Sequence, residues 1–217
     1  MESQAHGNLF EDVIIRSVAN IGKKEYEKLI PRAYTSPMDI HEGVKSDFNA
    51  SVKTTKGNGI GLGDMGIFYD HATTMDFVMI VGCWEQKTKT QKIFHTIYEF
   101  DCTPDGILPL FGSLTREDIR TFREYVVSIP PGKQGQLDNQ KLWKEKRQVL
   151  LDKGNPIVSI DAKIDSKTQR RVQSGVKIQS LIDQGIPYRK ITDNYRGIEL
   201  PLKIKSGARQ FAKSKAS

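Results

Sequence analysis

Cysteine, histidine and long apolar runs are all scarce in this chain of 217 residues. Two cysteines, Cys83 and Cys102, are too few for a disulfide framework. Both lie in apolar, strand-like surroundings, so they are expected to be reduced, buried thiols of a cytosolic protein, although neighbouring strands would let them meet. The four histidines, at positions 6, 41, 71 and 95, never pair with zinc-ligand spacing, which argues against a structural zinc. No apolar run approaches the ~18 residues of a membrane span. The acidic, polar start Met1-Glu2-Ser3-Gln4 also lacks the basic and apolar regions of a signal peptide. The expectation is a soluble, cytoplasmic protein with no membrane partner. Its length suits one compact domain covering residues 1–217, and no internal repeat is evident.

What the chain has in excess is positive charge, unevenly spread. Residues 1–138 hold 15 Lys+Arg against 19 Asp+Glu, a net of −4, whereas residues 139–217 hold 18 against 7, a net of +11. A basic excess confined to one end points to a polyanionic partner contacted from that end.

Hydrophobic periodicity sets out the elements. Asn8 can cap a helix over 8–20, with Leu9, Phe10, Val13, Ile14 and Val18 on one face, and a short helix over 23–30 stops before Pro31. Alternation in 48–53 predicts a strand with Asn49, Ser51 and Lys53 on its polar face. The glycine-rich stretch 54–63 reads as a loop, and Asp64 as the residue opening a short helix. Apolar runs at 77–84 and 93–100 predict two strands buried on both faces, joined by an exposed turn over 85–92. Helices are expected over 115–127, started by the capping pattern Thr115-Arg116-Glu117-Asp118, and over 138–151, with a flexible proline- and glycine-rich linker at 130–135 between them. A strand at 157–164, a helix at 168–183, a strand at 198–205 and a basic tail follow.

Metal-assisted phosphodiester hydrolysis requires carboxylates to hold the ion, and a lysine that orients the attacking water while neutralising phosphate charge. Ser51-Val52-Lys53 puts a lysine on the polar face of a strand. Asp39, twelve residues before Ser51, can return beside it on an antiparallel strand. These segments, Pro37-Met38-Asp39, Ser51-Val52-Lys53-Thr54-Thr55 and Gly61-Leu62-Gly63-Asp64, resemble the PD-(D/E)XK nuclease superfamily, specifically type II restriction endonucleases in which the motif's acid is replaced by serine. Met38, between the proline and the aspartate, is a departure from the pattern.

The resemblance implies an α/β (α+β) restriction-endonuclease-like core over about 8–130, a mixed central sheet flanked by helices, and a basic DNA-recognition region over about 139–217. It implies Mg2+ as cofactor, held by Asp39 and by Asp64 as the replacement carboxylate, with Glu11 as the supporting helical acid and Ser51 and Lys53 as the motif core. Asp47, in Lys45-Ser46-Asp47, is the alternative upstream acid, but on one straight strand it would stand about 20 Å from Lys53 at ~3.3 Å per residue. Glu85-Gln86-Lys87, following an apolar strand, is a competing site for the motif, set against its reading as an exposed turn.

For DNA, Gln169, Arg170, Arg171 and Gln173 carry the chemistry that reads base edges. Lys167 belongs to the same recognition-like segment, while Lys203, Lys205 and Arg209 suit phosphate contacts. Cutting both strands of a short palindrome implies a homodimer, for which Tyr125 and the helix around Trp143 are candidate interface, set against the reading of Leu142, Trp143, Val149 and Leu150 at helical spacing as plain core, and a cognate methyltransferase protecting the same site. The rival readings are a non-catalytic nucleic-acid-binding protein and a non-specific repair or processing nuclease.

Overall fold

A computed structural model describes residues 5–30, 36–164 and 170–205. The chain begins with α1 (Ala5–Ala19) and α2 (Lys23–Tyr26), which runs on as a 3-10 turn over Glu27–Leu29. Then come β1 (Ala50–Thr55), β2 (Gly59–Asp64), α3 (Met65–Ala72), β3 (Phe77–Thr88) and β4 (Gln91–Cys102). A short α4 (Pro104–Ile107) precedes α5 (Arg116–Ser128), α6 (Lys133–Asp138) and α7 (Gln140–Gly154). The last part holds β5 (Ser159–Lys163), β6 (Arg171–Lys177), α8 (Ile178–Asp183), β7 (Tyr188–Ile191), β8 (Asn194–Tyr195), β9 (Ile198–Glu199) and β10 (Leu202–Lys205).

The protein is mixed α/β, with a mixed central sheet between helices. β3 and β4 form its antiparallel middle; β1 joins β3 in parallel, and β10 and β7 pair with successive parts of β4. A parallel pair needs a crossover, and the chain makes it between β1 and β3 through β2 and α3. A second, antiparallel sheet is ordered β2-β6-β5. Alternation along β3 explains its burial on both sides: Met79 and Val81 join the core under α3 and α5, while Ile80 joins the core under α1.

Phe10, Ile14, Ile15 and Ala19 seat α1 on the central sheet. The closest approach is at Gly82 of β3, where an added Cβ would fall 2.5 Å from the Phe10 ring. Gly82→Ala therefore forces ring or helix to move. We expect it to destabilise the protein by about 1 to 3 kcal/mol, as overpacked core positions do, measured by denaturant unfolding. An unchanged midpoint would mean that α1 is loosely seated.

Several sequence expectations change. The helix begins at Ala5, three residues before the expected cap Asn8. Its first turn is anchored by Lys92, whose ammonium donates to His6 Nδ1 at 2.9 Å and lies 4.3 Å from the Trp84 ring centre. Lys92, expected in an exposed turn, is only 4% exposed because β10 pairs beside it and α1 lies over it. The glycine-rich 54–63 stretch is largely a strand: β2 bonds to β6, and Gly63, at φ +87°, takes the bulge between Gly61 and Gly63. Of the helix expected over 168–183, residues 168 and 169 lie outside the described residues, residues 171–177 are the strand β6, and the helix starts at Ile178. Val172, Ser174 and Val176 bury alternately in β6, which fills the middle of the second sheet. Part of the expected 130–135 linker is taken up by α6.

Other expectations hold. Asp64 caps α3, and Thr115 with Asp118 forms a reciprocal capping box on α5. Cys83 and Cys102 are free, buried thiols, opposite Thr96 and Phe77 respectively rather than each other. No helix among the described residues is long and apolar enough to cross a membrane.

Candidate active site

The site is built on the free edge of β1. Asp39 and Ile40 return alongside it, and the antiparallel bridge between Ile40 and Ala50 brings Asp39 next to Ser51, as their spacing predicts. The backbone pairing stops there. The next outward-facing amide, Val52 N–H, donates instead to Asp39 Oδ2 at 2.7 Å. A strand edge thus uses its unpaired donor to orient a carboxylate. Lys53 Nζ lies 3.4 Å from the same oxygen, and both side chains are about a quarter exposed. Among the described residues, these are the hydrogen bonds that Asp39 accepts through its side chain.

Glu11 faces this pair from α1. Burial, and then the neighbouring Asp39 charge, push its carboxyl up to about 7, against the opposing influence of Lys23 and Lys53. Lys23 Nζ binds Glu11 Oε2 at 2.7 Å and stands 3.8 Å from Glu27. Lys23 is itself positioned through its backbone N–H, which donates to Asp12 Oδ1 at 2.7 Å and so ties α2 to α1. Glu11 thus feels the charges of Asp39, Lys23 and Lys53, and all four side chains are only partly exposed. Lys23 was not foreseen: in sequence it is one of two adjacent lysines on a helix, and nothing local distinguishes it from an ordinary surface residue.

The other expected site residues go elsewhere. Ser51 is buried at 1% exposure and donates its hydroxyl to Pro37 O at 2.9 Å, so it holds the Asp39 segment against β1. Asp64 accepts from Gly66 N and Ile67 N as the cap of α3. Among the described residues no three acidic, histidine or cysteine side chains gather as a metal-ligand set, so Asp64 does not complete one with Glu11 and Asp39. Asp47 lines a separate hollow with Glu42, Asn49, Asp76 and Asp101, which leaves Asp39 as the acid beside Lys53. In the competing motif, Glu85 and Lys87 are exposed near the end of β3, and Gln86 bonds across the β3–β4 turn to the Thr88 and Gln91 carbonyls.

Of the expected DNA contacts, Lys167, Gln169 and Arg209 lie outside the described residues. Arg170 is spoken for within the fold, its Nη1 donating to the Val127 and Ile129 carbonyls at 2.5 and 2.8 Å, which pins the start of β6 to the end of α5. Arg171 and Gln173 lie on β6 rather than on a helix, and Lys203 and Lys205 are exposed on β10.

Magnesium keeps several waters and takes as few as one or two protein carboxylates. Glu11 and Asp39 meet that requirement. Burial and, after it, the nearby Asp39 charge make ionising Glu11 unfavourable, and a divalent cation would relieve the second of these. No family model, curated protein or solved structure matches the chain.

Proposed function

We propose that the protein is a Mg2+-dependent endonuclease of double-stranded DNA, a type II restriction enzyme of PD-(D/E)XK type cutting at a short palindrome. The observation that carries this reading is the Asp39–Lys53 pair on adjoining antiparallel segments, with Glu11 facing it from a helix at the edge of a mixed sheet. The succession of α1, the Asp39 segment, β1, α3 and a β3 parallel to β1 supports the core implied by the sequence resemblance. Glu11 and Asp39 would hold the metal, which when bound supplies positive charge to the phosphate in its transition state.

The protein's own groups do the rest. Asp39 is fixed by the Val52 amide through Oδ2. Lys53 orients the attacking water and offsets phosphate charge, and Lys23 keeps the Glu11 carboxylate turned toward the site. Glu11 thereby takes the place of the acid that serine replaces in the motif, without recourse to Asp64. A homodimer cutting both strands, and a methyltransferase protecting the same site, complete the proposal.

Incubation of the purified protein with supercoiled plasmid tests it. Discrete linear fragments with Mg2+, absent with chelator, are expected. Random degradation would favour a processing nuclease, and a mobility shift without cleavage a binding protein.

A further inference from the structure

The second sheet turns one face to the core through Ile60, Leu62, Val172, Val176 and Ile160, and its other face to solvent over a hollow of about 520 Å³. The floor of that hollow is unusual in having little side chain. Gly59 and Gly61 are exposed strand residues with φ outside the left-handed range, and a Cβ at either would meet nothing within 4 Å. Gly61 flanks the bulge, but neither position needs glycine for its φ or its space, and a side chain would favour the strand. A glycine in a strand that needs neither its conformation nor its space marks close approach by something outside the fold.

The surrounding charge identifies the visitor. Strand register puts Gly61 opposite Gly175, Gly59 opposite Lys177, Asp161 opposite Gln173 and Lys163 opposite Arg171. The outward face therefore carries cations at its two ends, Arg171 at one and Lys177 at the other. Six residues at ~3.3 Å separate Arg171 from Lys177 along β6, about 20 Å, enough to reach past a major groove ~12 Å wide to the phosphates on either side. Asp161, the acid among these residues, is neutralised by Arg147 at 2.7 Å. Gln173 lies between the cations, and its amide has no hydrogen bond to a described residue. From the candidate active site, β1 leads into β2 through residues 56–58 alone, and Thr55 bonds to Gly59 O across that turn at 2.7 Å.

Resting on the DNA substrate proposed above, we infer that this glycine-floored face of the β2-β6-β5 sheet docks the duplex. The β2 backbone at Gly59 and Gly61 lies against the DNA, the terminal cations take phosphates, and Gln173 reads a base edge.

Short fluorescein-labelled duplexes with a randomised centre, bound in Ca2+ and followed by anisotropy, provide the probe. Gly61→Val is expected to weaken binding about tenfold or more, with a melting temperature unchanged or raised. Gln173→Ala is expected to keep overall affinity within about threefold while relaxing one base position among the duplexes selected from the pool. Wild-type affinity in Gly61→Val, an unchanged selected sequence in Gln173→Ala, or a wild-type preference for single strands would overturn the inference. The two readings fail separately. Glycine-dependent duplex binding without Mg2+ cleavage keeps the docking face and removes the nuclease, whereas cleavage by wild type and by Gly61→Val alike keeps the nuclease and removes the docking face.

Discussion

Lys53→Ala is expected to lower Mg2+-dependent cleavage about a thousandfold or more while leaving duplex binding within a few-fold of wild type. The size follows from losing in one step both water orientation and charge compensation at the phosphate, effects that are individually worth about 10² to 10⁴ in other enzymes. Asp39→Asn should fall as far, since it removes the carboxylate that the Val52 amide and Lys53 jointly hold. Asp64→Ala supplies the contrast. Asp64 serves as a helix cap, so its loss should lower stability by about 1 kcal/mol and leave cleavage largely intact. Single-turnover cleavage of plasmid by the three variants checks this. Full activity in Lys53→Ala would remove the proposed centre, and an inactive but folded Asp64→Ala would mean that the metal site is assembled around that residue instead.

The second large effect is on stability. Burial and the Asp39 charge hold the Glu11 carboxyl at about 7, above its ordinary value of 4.5. A carboxyl whose pKa is raised by folding binds its proton more tightly in the folded state. The protein should therefore lose stability as pH rises from about 4.5 to about 7 and level off above. Glu11→Gln removes the charge responsible. The variant is expected to be more stable than wild type by about 1 to 3 kcal/mol near pH 8, an advantage that fades towards pH 4.5, and to cleave poorly. Mg2+ should raise the melting temperature of wild type but not of Glu11→Gln, because the ion relieves a repulsion that the variant lacks. Denaturant unfolding across this pH range decides. A Glu11→Gln protein less stable than wild type near pH 8 would show that the Glu11–Lys23 ion pair outweighs the desolvation and repulsion of the carboxylate.

Both predictions reflect the same physical compromise. In the proposed centre, Glu11 and Asp39 are like charges where water is partly excluded, an arrangement that would destabilise the free protein and that a bound cation would relieve.

Local signals reached far into this fold. Capping at Asp64 and Thr115 and the buried β3–β4 pair were legible because each depends on near neighbours in the chain. The approach of Asp39 to Ser51 was legible from its spacing for a hairpin return. The misreadings share one cause. Parts of the expected loop 54–63 and helix 168–183 pair with each other as β2 and β6, with more than a hundred residues between them in sequence, and neither carries a strand signal strong enough to stand without its partner. Lys92 shows the same dependence on distant partners: a hairpin lysine is ordinarily solvated, and only α1 and β10 closing over it make it buried.

The sequence alone determined which residue types were available and where helices could start, because caps, periodicity and charge distribution act over a few residues. Which acid stands beside Lys53, that Lys23 joins Glu11, that Arg170 is a structural tie, and that two exposed glycines floor a hollow on the second sheet were decided by tertiary structure. Those relations join groups remote along the chain, and the energies that select among them, burial, desolvation and charge proximity, do not exist until the elements pack.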